Sequence, residues 1–99
     1  MSTESAPDLR GLPGAELFER GVEDLAAGHL TVGSALVSMA AQRLRDAGLS
    51  VPSPCHDRPS HALYQLLANE DPRTAHSSYN ALVGRIVSFA RAAEHARPG

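Results

Sequence analysis

The stretch DPRTAHSSYNALVGRIVSFARAAEH, residues 71–95, decides the fold class of this chain. Its apolar residues recur at spacings of 4, 3, 4, 3 and 4, the period of one face of an α-helix; they are Ala75, Tyr79, Leu82, Ile86, Phe89 and Ala93. Asp71 followed by Pro72 is typical of an N-cap and a first helical position. The pattern predicts one long helix over about 71–95.

Three shorter helices precede this segment. The same period predicts them over about 13–27, 31–47 and 60–69. Gly28 and Gly48 are natural helix stops, and the short turn at 28–31 favours a hairpin of the first two helices. Three prolines at 49–60 mark a connector that cannot be helical. We therefore expect an all-α fold of four helices, packed as two antiparallel hairpins in a small bundle.

Chain length and composition limit the domain organisation. A chain of 99 residues is too short for two independent cores, so we expect a single helical domain over 12–97. Residues 1–11 contain almost nothing to bury, which predicts a disordered N-terminal arm.

The residue types that are missing exclude several function classes. No lysine is present, which excludes a Walker-type phosphate loop and Schiff-base catalysis. The single cysteine excludes an intramolecular disulfide, and neither a signal-peptide pattern nor a bilayer-length apolar run occurs. We expect a cytoplasmic protein without a membrane span. The use of arginine for all nine basic residues is typical of GC-rich genomes and favours a bacterial source.

Charge is distributed unevenly along the chain, whose formal net charge is -2. Residues 1–30 hold six acidic and two basic residues, a sum of -4, whereas residues 72–97 hold four arginines and one glutamate, a sum of +3. The first and last helices are thus complementary, either as neighbours within one chain or across a homodimer. An acidic first helix also argues against nucleic-acid binding, because phosphates would repel it.

The connector carries a cluster that suggests metal chemistry. Thiolate, imidazole and carboxylate groups are zinc ligands, and the segment and its continuation contain Cys55, His56, Asp57 and His61. Their spacing matches no zinc-finger pattern, so a polar connector without metal is the alternative. We expect no cofactor, and no residue is assigned a catalytic role.

A second polar cluster lies at the start of the long helix. Arg73, His76 and Asn80 stand near its N-terminus, where free backbone N–H groups favour anions. A phosphate-bearing ligand is one interpretation, and a solvated face is the other. Gly84 lies farther along the polar side, and a glycine within an exposed helix often marks the close approach of another helix or a ligand.

These features favour a small helical protein-interaction module, accessory, regulatory or antitoxin-like, that binds a protein partner or self-associates, with a homodimer as one form. The expected interaction face consists of Val83, Val87, Ala90 and Gly84. The alternative function is a small enzyme or metal-binding protein that uses the Cys55–His61 loop or the Arg73, His76 and Asn80 cluster.

Overall fold

The computed structural model describes residues 11–96, and this part of the chain forms five helices. They are α1 (Ala15–Ala26), α2 (Val32–Met39), α3 (Ala41–Asp46), α4 (Pro59–Glu70) and α5 (Ala75–Ala96). No strand occurs in residues 11–96, and the predicted all-α class is confirmed. Apart from Gly11, the predicted disordered arm lies outside the described residues.

The helix predicted over 31–47 is two helices separated at Ala40. Ala40 adopts φ -99° and ψ 12°, and its N–H is shared between the carbonyls of Leu36 and Ser38. The last bond of α2 runs from the Ala40 N–H to Leu36 O and the first bond of α3 from the Leu44 N–H to Ala40 O, so Ala40 ends one helix and begins the next. No glycine or proline stands at this position, so the apolar periodicity runs through the break without a signal.

The long helix begins at Ala75 rather than at Pro72, because residues 72–74 form a turn that precedes it. The Asp71 N–H donates to Leu67 O at the end of α4, and its carboxylate accepts the Arg73 N–H at 3.0 Å. These bonds, with one from Thr74 N–H to Asp71 O, form a separate turn between α4 and α5. Asp71 and Pro72 thus belong to the connection of the two helices.

Helix α4 also begins differently from the sequence interpretation. Pro59 is its first residue, where the missing N–H and fixed φ are tolerated. The preceding residue, Arg58, adopts the left-handed conformation, with φ 48° and ψ 56°, and its side chain forms no capping hydrogen bond.

One hydrophobic core joins all five helices. Its largest fully buried apolar side chains come from α2, α3, α4 and α5, and they are Phe89, Leu36, Leu44, Leu63, Ile86 and Val37. Helix α1 joins through Phe18, whose ring stacks on Phe89 at a centroid distance of 5.0 Å. Aromatic pairs at this separation add about 1 kcal/mol to the burial of their area. The ring pair therefore fixes α1 against α5.

The closest approach of two helices is the crossing of α1 and α2 at Gly21 and Gly33. A Cβ on Gly33 would lie 3.1 Å from the Gly21 Cα, and a Cβ on Gly21 would lie 2.6 Å from the Val37 Cγ2. Neither position has room for a side chain, so backbone packs directly on backbone. The two glycines set the distance between α1 and α2.

The remaining contacts arrange the helices around α2. It packs against α1, α4 and α5, while α4 and α5 contact each other through residues that include Tyr64 and Tyr79. The antiparallel order within the two hairpins stays a prediction. None of the helices within residues 11–96 combines the length and apolarity needed to cross a bilayer.

Replacement of Gly21 by alanine should destabilise the fold. The added methyl group meets the Gly33 backbone and Val37, and overpacking of this kind costs about 1 to 3 kcal/mol. Gly84→Ala is the matched control, because a Cβ there meets nothing within 4 Å and alanine is favoured in helices by about 1 kcal/mol. Urea unfolding of both variants measures the difference. An unchanged midpoint for Gly21→Ala would contradict the crossing.

Candidate functional site

A polar network lies inside the domain at the base of the connector. Ser34 is fully buried, and its Oγ lies 2.8 Å from both Thr31 N and His29 O and 2.9 Å from His56 Nε2. Ser38, also buried, accepts the His56 backbone N–H at 3.1 Å. Two serines of α2 therefore anchor His56, which follows them by 22 and 18 residues.

The network continues to α1 through Thr31. The Thr31 hydroxyl accepts the Ser34 N–H at 3.1 Å, which caps α2, and donates to Asp24 Oδ2 at 2.8 Å. The spacing Thr31-x-x-Ser34 forms a capping box, and it is stable because each residue satisfies the other's free backbone N–H. The α1–α2 turn and the connector are thereby held by one set of bonds.

The geometry of the Ser34–His56 pair makes it structural rather than nucleophilic. Ser34 Oγ accepts the Thr31 N–H and lies within hydrogen-bond distance of both His29 O and His56 Nε2. The hydrogen-bonding groups of this hydroxyl are thus used within the domain. Complete burial also keeps Ser34 away from any reactant. The pair thus ties the connector to α2.

A second tie holds the connector to α3. The Arg45 Nη2 lies 3.2 Å from Val51 O, 3.3 Å from Pro52 O and Ser53 Oγ, and 3.8 Å from the Cys55 Sγ. The Nη2 group carries two of the five guanidinium N–H donors, so these four contacts share two protons. Cys55 itself is free and half-buried. Its position beside Arg45 follows from the folding of the connector.

The proposed metal ligands do not form one group. The Cys55 and His56 side chains are half-buried, while Asp57 and His61 are exposed, and the His56 ring bonds to Ser34. Across residues 11–96, no three His, Cys, Asp or Glu side chains assemble into a group that could hold a metal ion. The arrangement of these four residues is that of a polar connector.

The possible anion site separates into two exposed pairs. The Arg73 Nε lies 3.5 Å from Asp71 Oδ1, with the two side chains 90% and 40% exposed. His76 Nε2 lies 3.4 Å from the Asn80 Nδ2, one turn away on the same helix. Because Arg73 pairs with a carboxylate in the turn before α5, its charge is partly neutralised where an anion would bind.

The four residues of the expected interaction face have different environments. Ala90 is fully buried in the core, and Val83 and Val87 are half-buried against it. Gly84 alone of the four is exposed. The exposed surface of α5 at this position extends beyond the valines. Exposed residues recur along the helix at spacings of 4, 3, 4 and 3 and so lie on one side of it. We call this side the outward face; it consists of Ser77, Ala81, Gly84, Ser88 and Arg91.

A depression of about 370 Å³ lies beside the outward face. It is lined by Pro13 and Gly14 at the start of α1 and by Ala81, Gly84, Arg85 and Ser88 of α5. Small-molecule sites usually bring a few polar groups together within apolar walls, whereas the only charged group here is Arg85.

Sequence reasoning missed Ser34, Ser38 and the bond partners of His56. Their roles depend on contacts between residues 18 to 22 positions apart, which periodicity does not reveal. The only local signal was the Thr31-x-x-Ser34 spacing, which differs from the usual capping box by serine in place of glutamate or glutamine.

The chain matches no protein-family model, and no curated protein or solved structure is similar to it. No relative's activity therefore bears on its function.

Replacement of His56 by alanine should destabilise the domain. The variant leaves Ser34 Oγ without one of its partners in the interior, and a lost buried hydrogen bond of this type costs about 1 to 3 kcal/mol. His61→Ala is the matched control, since His61 is exposed and such surface changes stay within about 0.5 kcal/mol. Chemical denaturation of both variants compares them. Equal effects would contradict the anchoring role of His56.

Proposed function

We propose that this chain is a small helical protein-interaction module that binds through the outward face of α5. In this proposal it is a cytoplasmic accessory, regulatory or antitoxin-like protein and carries no catalytic residue. The support comes from the exposed surface of α5, as set out below, and from the structural roles of the polar groups in the connector.

The observation that carries the proposal is the environment of Gly84. Of the seven described glycines, four adopt positive φ, at 11, 14, 28 and 48, and two form the α1–α2 crossing. Gly84 has neither reason to be glycine, because its φ is ordinary and an added Cβ would meet nothing within 4 Å. A glycine in the middle of a 22-residue helix costs about 1 kcal/mol relative to alanine. A surface that packs closely on Gly84 in a complex would account for that cost.

The residues around Gly84 support a helix as the contacting element. Ala81 and Ser88 lie within one turn on either side and have small side chains, so the backbone of a second helix can approach closely. Val83 and Val87 leave part of their apolar surface exposed beside them. Arg85 and Arg91 provide charge at the margin, as is usual for a polar rim around an apolar contact.

A substitution that tests binding through the outward face should leave the core undisturbed. Substitution of Val83 or Val87 by glutamate would also disturb the core, because both side chains pack against it. Gly84→Leu avoids that problem, since Gly84 is exposed, a Cβ there would meet nothing within 4 Å, and leucine is a better helix former than glycine. Its unfolding free energy should equal or exceed that of the wild type while binding is lost.

Site-specific photocrosslinking in the native host tests the proposal. A photoreactive residue at Ser88 should yield a crosslinked protein adduct, and Gly84→Leu in the same chain should abolish it. In the matched control the photoreactive residue replaces Gln65, which is exposed on α4. Adducts that form equally from Gln65, or survive Gly84→Leu, would argue against the outward face as the binding surface, as would the absence of any adduct from Ser88.

A further inference from the structure

We infer that the partner of the outward face is a second copy of this chain, with Arg91 of each copy paired with Glu19 of the other; the inference rests on the proposed function. Charge distinguishes a second copy from other partners, because shape alone would suit any helix with small side chains.

The folded chain exposes both signs of charge near the outward face. The exposed charges of α1 are Glu16, Glu19, Arg20 and Glu23, a sum of -2, and those of α5 are Arg85, Arg91 and Glu94, a sum of +1 with histidines neutral. Within residues 11–96 none of these seven side chains forms an ion pair or a hydrogen bond. Their charges are therefore available to a molecule that docks on this side.

The two signs border a common surface. Glu16, Glu19 and Arg85 line one depression of about 470 Å³ where α1 meets α5, and Arg85 also lines the depression beside Gly84. The stacked rings of Phe18 and Phe89 hold the acidic helix in this position. One copy thus exposes Glu16 and Glu19 of α1 next to Arg85 of α5.

A surface that carries its own complement favours a two-fold symmetric pair. In such a pair each contact occurs twice, because the same patch of both copies forms the interface. Arg91 is the cation best placed for the partner, since it belongs to the outward face and does not line the depression that Glu16, Glu19 and Arg85 share. A second copy supplies the carboxylate that Arg91 lacks.

Self-association also suits the size of the domain. A single core in a chain of 99 residues buries a limited apolar area. An interface between two copies would bury further apolar area. Contact at Gly84 would cover the exposed parts of Val83 and Val87 in both copies at once.

Sedimentation equilibrium of the full chain, with charge exchange, tests the inference. Wild-type protein should reach a mass near twice 10.4 kDa at high concentration. Arg91→Glu and Glu19→Arg should each weaken dimerisation about tenfold, because each reversal acts at two symmetric contacts. The double variant should return to within about twofold of the wild type. Arg43→Glu, an equal charge change at an exposed position on α3, is the control and should leave the dimer unchanged.

Three results would overturn the inference. They are a wild-type mass that stays at 10.4 kDa at all concentrations, a dimer that tolerates Gly84→Leu, and a double variant no tighter than either single variant. If the chain is a monomer and a photoreactive residue at Ser88 crosslinks to a different protein, the proposed function is supported and the inference of a second copy is rejected. If the chain is a monomer and no such adduct forms, both the proposed function and the inference of a second copy are rejected.

Discussion

The backbone contact between Gly21 and Gly33 is the constraint on which the other features depend. It brings α1 onto α2 with no side chain between them, and that closeness lets Phe18 of α1 reach Phe89 of α5. The same placement puts the acidic surface of α1 beside the arginines of α5. A wider crossing would separate the ring pair and move the acidic surface of α1 away from the outward face.

Among the polar residues that suggested chemistry, His56 helps to hold the connector in place. Ser34 and Ser38 bind His56, and Arg45 binds the carbonyls of the proline-containing segment. A connector without regular structure leaves backbone groups that need partners, and these side chains provide some of them. The chain therefore uses its buried hydroxyls and imidazole for architecture, while its exposed helix surface remains available for binding.

The helices could be predicted from sequence because their positions depend on local periodicity, as Ile86 and Phe89 illustrate. Contacts between distant residues could not be predicted in the same way. Gly21 and Gly33 have no local feature that reveals their contact. Ala90 was expected on the interaction face, but the fold buries it in the core. Gly84 was recognised from sequence because its cost is local, but the open space around it became evident only in the fold.

Nuclear Overhauser spectroscopy of the full chain tests the central constraint most directly. A Cβ on Gly33 would lie 3.1 Å from the Gly21 Cα, so the α-protons of these two glycines lie close together. We expect a strong cross-peak between the Gly21 and Gly33 α-protons in the isolated domain. A spectrum in which both residues are assigned and this cross-peak is absent would contradict the crossing and the placement of α1 that follows from it.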